Sequence, residues 1–196
     1  MRRPSHHTGS TRPVPGQCGS GVAGIFYGDR VSRIRLHNDD LGYETNCFVC
    51  EQSNDAGLRI PFFLDEERGL VTADFELSNA FSGAPTMLHG GVSLAILDEA
   101  MAWACIALGH QWAVTSETTT RFHRAVYVDK PHTVEAEIVE QTDAEIMTAA
   151  RILNAKGVVR AEARATFTAL GDAQLKRALG AADDDPLDGS LERPGR

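Results

Sequence analysis

With 196 residues, 42% of them apolar and 23% charged, the chain has room for one globular domain with a proper core and for tails beside it. The formal net charge of −8 argues against general nucleic-acid or anionic-membrane binding, since both call for a basic surface. A small polyanionic ligand is not excluded, because a local basic pocket can sit on an acidic protein.

Residues 1–30 are rich in Gly, Pro, Ser and Arg without a hydrophobic period, and read as a disordered or loosely docked arm. Arg2-Arg3 resembles the start of a twin-arginine signal, but no apolar region follows. No stretch is expected to reach the roughly 18 apolar residues needed to cross a bilayer, so the expected location is the cytoplasm, with thiols reduced. The four cysteines, Cys18, Cys47, Cys50 and Cys105, make no disulfide framework in a chain of this length. Cys47 and Cys50 form a CxxC pair. With His37 the only nearby candidate for a third ligand, they read as small side chains packing a turn, and neither metal nor cofactor is expected.

The folded unit is expected over about residues 40–171. Leu58–Leu64 and Gly69–Leu77 are short apolar-rich runs around Asp65-Glu66-Glu67-Arg68, a hairpin pattern. The loop Ser78–Leu88 leads into His89-Gly90-Gly91. Val92–Leu108 is apolar almost all round, with Gly109 as the expected C-cap. Strand-like segments follow at Trp112–Val128, Thr133–Gln141, Glu145–Asn154 and Val158–Ala169. In the last, Ala161, Ala163, Ala165 and Phe167 alternate with Arg160, Glu162, Arg164 and Thr166, a period of two with one face covered. Asn154-Ala155-Lys156-Gly157 reads as the turn before it. Residues 172–196 read as a flexible tail with one helical turn at Gln174–Leu179.

A helix apolar on nearly every side must be wrapped on most sides. Strands before and after it supply the wrapping, so the expected class is α+β, an antiparallel sheet around one long central helix.

Two features of that helix suggest chemistry. Glycines at its start bare backbone N–H groups that the helix dipole makes good donors to an anion. Asp98 and Glu99 are the only charged residues between Gly91 and Gly109, and burying a carboxylate in apolar surroundings is costly unless it is paired or lines a cavity. Successive helical residues point about 100° apart, so the two acids cannot share one site.

The stretch from Leu88-His89-Gly90-Gly91 to Asp98, with the acid nine positions after the histidine, resembles the hotdog-fold acyl-CoA thioesterases of the PaaI-like (phenylacetate-pathway) branch. The resemblance continues through Val114-Thr115-Ser116-Glu117 to Arg121-Phe122-His123-Arg124 and covers roughly residues 45–170. It departs at Ala125, where proline is usual, and at Ser82-Gly83-Ala84, where relatives place an amide or polar side chain.

The resemblance implies a thioester hydrolase acting on a small aryl or medium-chain acyl-CoA. It implies Asp98 as general base or nucleophile, the Gly90 N–H polarising the carbonyl, His89 in support, and Thr115 positioning the water. Gly91, Glu99, Ser116, Arg121, His123 and Arg124 are the substrate-side candidates. Gly91 would keep the entrance clear, and Arg121, His123, Arg124 and Lys130 would form a basic rim for CoA phosphates. Glu99 stands as the alternative acid, and Ser116 points to the other face of the strand. The resemblance also implies a homodimer with the site between protomers, or a dimer of dimers. The competing reading is a non-catalytic acyl- or aromatic-ligand-binding hotdog protein, because a fold does not settle a function. A dehydratase of the same fold is disfavoured because His89 does not lie inside the helix.

Overall fold

The structure is a computed structural model that describes residues 33–41 and 45–180; the expected arm at residues 1–30 lies outside this range. The described elements are β1 (Arg33–Arg35), β2 (Phe63–Asp65), β3 (Leu70–Phe75), β4 (Ser82–Ala84), β5 (Met87–Leu88), α1 (Gly90–Ala107), β6 (Ala113–Phe122), β7 (His132–Gln141), β8 (Glu145–Asn154), β9 (Val159–Ala169) and α2 (Asp172–Leu179). Seven strands make one antiparallel sheet in the order β1-β2-β3-β7-β8-β9-β6, and β4 pairs with β5 beside it. This is the expected hotdog arrangement, with α1 packed across β3, β6, β7, β8 and β9.

The sequence pattern explains why the helix sits where it does. On β9, Ala161, Ala163, Ala165 and Phe167 are buried, and in the β8 register they face Ile152, Ala150, Thr148 and Ile146. Three alanines in a row on one strand face let the helix approach closely, and Ala100 and Ala104 do the same from its side. Ile96, Leu97 and Met101 are wholly buried beneath the sheet, each contributing roughly 1.5–3 kcal/mol by removal from water. By length and composition α1 is also apolar enough to cross a membrane, with a mean hydropathy of 1.4 over 18 residues, contrary to the expectation that no such stretch exists. Its place explains its composition: it is the core of a sheet that wraps it.

Element boundaries shift from the expected ones in physically informative ways. α1 begins two residues earlier, at Gly90, because His89 caps it. At the other end Leu108 caps the helix in a right-handed conformation, and the left-handed residue is His110, not Gly109. Gly109 is needed for space, since a Cβ there would lie 2.7 Å from the Cys105 carbonyl oxygen. The strand expected over Trp112–Val128 ends at Phe122; beyond it Val126 and Val128 are buried from a loop. The turn between β8 and β9 does place Gly157 at a positive φ of 72°, and Asn154 Oδ1 accepts from the Lys156 and Val158 amides. The first residues of the expected tail form α2, which buries Leu175 and is capped where Gln174 Oε1 accepts from the Gly171 amide.

Candidate active site

His89 organises the mouth of the central helix. Its own amide donates to the Phe81 carbonyl at 2.9 Å, and its Nδ1 accepts from the Gly91 amide at 2.9 Å. An imidazole that accepts at Nδ1 carries its proton at Nε2, which leaves that N–H as a donor. A Cβ on Gly91 would stand 3.1 Å from His89 Nδ1, so the missing side chain at 91 makes room for the capping ring. Gly83 serves the ring from the other side, where a Cβ would lie 3.1 Å from His89 Cα and Cδ2. This contact suits the Ser82-Gly83-Ala84 segment: a larger side chain at 83 would displace the histidine.

Gly90 is different. A Cβ there would meet nothing nearer than the Phe122 ring at 3.7 Å, so the site around it is open and exposed. Its N–H makes none of the hydrogen bonds found among the described residues. At the N-terminus of an 18-residue helix, such an N–H is a ready donor to an anion.

Asp98 is partly exposed on α1, and its Oδ1 accepts from the Thr115 hydroxyl on β6 at 2.8 Å. A β-bulge makes this pairing work. Thr115 lies opposite Phe167 and Thr118 opposite Ala165, both on the helix face, although they are three positions apart. Ser116 is the extra residue, and its hydroxyl donates to the Thr166 carbonyl at 2.9 Å. The bulge therefore turns Thr115 toward Asp98 and commits Ser116 to the strand ladder.

Glu99 faces elsewhere. A 3.3 Å hydrogen bond joins its Oε1 to Cys47 Sγ. Burial holds the Glu99 carboxyl well above the usual carboxylate range, and the neighbouring Cys47 charge adds to this. The Cys47 thiol is shifted the other way, chiefly by its hydrogen bond with Cys50 and then by backbone amides.

The basic residues disperse. Arg121 pairs in register with Glu162 on the face of β6 turned away from α1, beside Arg151 and Arg164. His123 Nε2 lies 3.0 Å from Glu162 Oε1, and Arg124 is exposed with its amide donating to the Arg160 carbonyl. Lys130 instead lines a cleft of about 620 Å³ with Tyr127, Lys156 and Arg160. The Arg160 guanidinium lies over the Tyr127 ring at 5.7 Å, and its buried Nε finds no acceptor among the described residues. Lys156 and Arg160 carried no sequence signal, for one reads as a turn residue and the other as the polar face of a strand.

Residues 86–161 match the family model of the thioesterase superfamily. No curated protein matches the sequence. Among solved structures, a thioesterase superfamily protein is 26% identical with a TM-score of 0.56; the match spans 59% of this chain and 56% of that one, little more than half its length. The Escherichia coli PaaI protein from the phenylacetic acid degradation operon shares the fold at 23% identity and a TM-score of 0.53, over 58% of this chain and 81% of its own. A hypothetical thioesterase from Streptococcus pneumoniae, solved with coenzyme A, does so at 23% and 0.50, over 53% and 80%. In the matched segment and in the helix-in-sheet fold built around it, this chain is similar to the thioesterase superfamily of hotdog proteins.

Proposed function

We propose that the protein hydrolyses the thioester of a small aryl or medium-chain acyl-CoA, as a PaaI-like enzyme, with Asp98 as the acid at the reacting carbon. The observation that carries this is the 2.8 Å pair of Thr115 and Asp98. By donating its proton to Oδ1, the Thr115 hydroxyl leaves Asp98 Oδ2 free and keeps its own lone pairs for a water. Asp98 then takes the proton of that water as it attacks the carbonyl carbon, or attacks directly through Oδ2 to form a mixed anhydride that the water afterwards hydrolyses to the free acid and the Asp98 carboxylate. The carbonyl oxygen becomes an oxyanion held by the Gly90 N–H, and its collapse breaks the carbon–sulfur bond and releases CoA thiolate. His89 supports this by pinning the helix mouth and offering its Nε2–H.

Helix geometry adds a constraint. Eight residues separate Gly90 from Asp98, about 12 Å along the axis at 1.5 Å per residue, too far to flank one carbonyl. The amide of one protomer must therefore work with the acid of another. The free edge of the sheet supports such an assembly: among the described residues β6 has a neighbour on one side only, and it exposes Val114 and Phe122. A bare, partly apolar edge strand of ten residues is a liability unless a partner covers it. The proposed unit is a homodimer, alone or as a dimer of dimers, with two composite sites.

The cleft of Lys130, Lys156 and Arg160 supports CoA as the carrier, since clustered cations suit its phosphates. Nothing in this chemistry needs a cofactor, and its free thiols suit the cytoplasm. The test is a thiol-release assay across aryl- and fatty-acyl-CoA substrates, with turnover expected on at least one of them. Tight binding without release of CoA from any of them would instead favour a non-catalytic ligand-binding protein.

A further inference from the structure

The second acid of the central helix belongs to a different constellation. Cys47 Sγ, Cys50 Sγ and a Glu99 carboxylate oxygen all lie within 4.8 Å of one another, whereas Thr115 is bonded to Asp98, one residue and about 100° round α1 from Glu99. We propose that Cys47, Cys50 and Glu99 bind a zinc-class divalent cation that ties the Cys47–Cys50 turn to the central helix.

The turn is built before any ion arrives. The amides of Val49 and Cys50 donate to Cys47 Sγ at 3.3 and 3.4 Å, an arrangement that holds a sulfur in place and favours its thiolate. The Phe48 and Val49 carbonyls accept from the Leu58 and Ile60 amides at 2.8 and 2.9 Å, clamping the turn to the next segment. Gly57 permits that clamp, because a Cβ there would stand 2.7 Å from the Phe48 carbonyl oxygen. Asn38 fixes the second sulfur, with its Nδ2 3.4 Å from Cys50 Sγ.

The donor set suits the ion. Two thiolates and a carboxylate select a borderline-soft cation, zinc before magnesium or calcium. Tetrahedral ligands at roughly 2.0–2.3 Å from zinc stand about 3.5–3.8 Å apart, and Cys47 Sγ and Glu99 Oε1 are 3.3 Å apart already. Without a cation, three such groups at the edge of an apolar core must keep protons between them, as in the Cys47–Glu99 hydrogen bond, because ionising them together there costs hydration. With one, the thiol protons leave to solvent and the negative charges are neutralised.

A fourth ligand position is accounted for by a second observation. Cys50 lines a cavity of about 100 Å³ that is also walled by His37, Asn38 and Trp103. The Trp103 indole N–H is buried and has no acceptor among the described residues, and Trp103 sits one helical turn beyond Glu99. A metal-bound water in that cavity would accept from it.

The test uses the full chain, purified in a metal-free reductant. Expected are about one zinc per chain by elemental analysis, displaceable by cobalt with the near-ultraviolet charge-transfer band of thiolate ligation. The Cys47→Ser/Cys50→Ser variant should lose that band. Glu99→Gln should keep it with at least about tenfold weaker binding, the scale seen when support for a metal ligand is removed. Asp98→Asn should bind metal like the parent, because it lies on the other face. Chelation should lower the melting temperature of the parent and leave that of a folded double-cysteine variant unchanged. Reduced, folded parent protein that takes up neither zinc nor cobalt overturns the proposal, as does a thiolate band that survives loss of both cysteines. If the double-cysteine variant fails to fold, an unweakened Glu99→Gln decides against the site.

Discussion

Asp98 and Glu99 are neighbours in sequence and identical in charge, yet they occupy opposite worlds. Asp98 looks toward the open edge strand, keeps partial contact with water and is held by one hydroxyl from Thr115. Glu99 looks toward the Cys47–Cys50 turn, where burial and a neighbouring sulfur keep its carboxyl high in the titration range. The rotation of about 100° between successive helical residues is enough to separate a group available for chemistry from one engaged in structure. A carboxylate becomes a catalyst through what surrounds it, and these two surroundings differ in solvent, partner and access.

The largest expected effect tests the catalytic side. Asp98→Asn preserves shape and removes the charge, so kcat should fall about 10²–10⁴-fold with KM little changed. Full activity in this variant, with activity lost in Glu99→Gln, would reverse the assignment of the two acids.

Nearly as large is the loss expected when the Gly90 N–H is removed. Proline is tolerated at the first position of a helix, and the space around Gly90 is open, so Gly90→Pro should fold and lose about 10²–10³-fold in kcat. Mixing unfolded Gly90→Pro and Asp98→Asn chains and refolding them together should then recover about a quarter of parental activity, because half the dimers carry one intact composite site. No recovery, with mixed dimers demonstrated by native mass spectrometry, would place the amide and the acid of a working site in one chain.

Thr115→Ala should have an intermediate effect, about tenfold in kcat, by releasing the water and the Asp98 rotamer while leaving the charge. A parental rate would mean that Thr115 merely satisfies a strand-facing acid. The smallest kinetic effect belongs to Glu99→Gln, expected within about threefold of the parent in kcat while its melting temperature falls by a few degrees, as for a loss of about 1 kcal/mol. A kinetic loss as large as that of Asp98→Asn would erase the distinction between the two sides of the helix.

Much of this was legible in the chain. A helix apolar on nearly all sides demanded wrapping, the alternation from Arg160 to Phe167 marked a strand with one covered face, and the placement of His89, Gly90 and Asp98 suggested the site proposed above. Other features had no local signature. The bulge at Ser116 leaves the strand pattern intact in composition while changing which residues share a face. The role of Gly91 is to clear a histidine ring, which depends on the rotamer of that ring. The basic rim expected along Arg121, His123 and Arg124 does not form at the cleft, because Arg121 and His123 both meet Glu162 on the sheet; the cleft draws its cations from Lys130, Lys156 and Arg160.

The sequence alone determined the elements, the buried faces and the position of an acid nine residues after a histidine at a helix mouth, since each follows from short-range periodicity and backbone chemistry. Only the tertiary structure decided what each acid meets. Thr115 is 17 residues from Asp98 and Cys47 is 52 from Glu99, and contacts at such separations are set by how the sheet closes around the helix. Hydrophobic burial drives that closure without regard to polar partners, so the one-residue step along α1 from Asp98 to Glu99 acquires its chemistry only once the strands and the cysteine turn are in place.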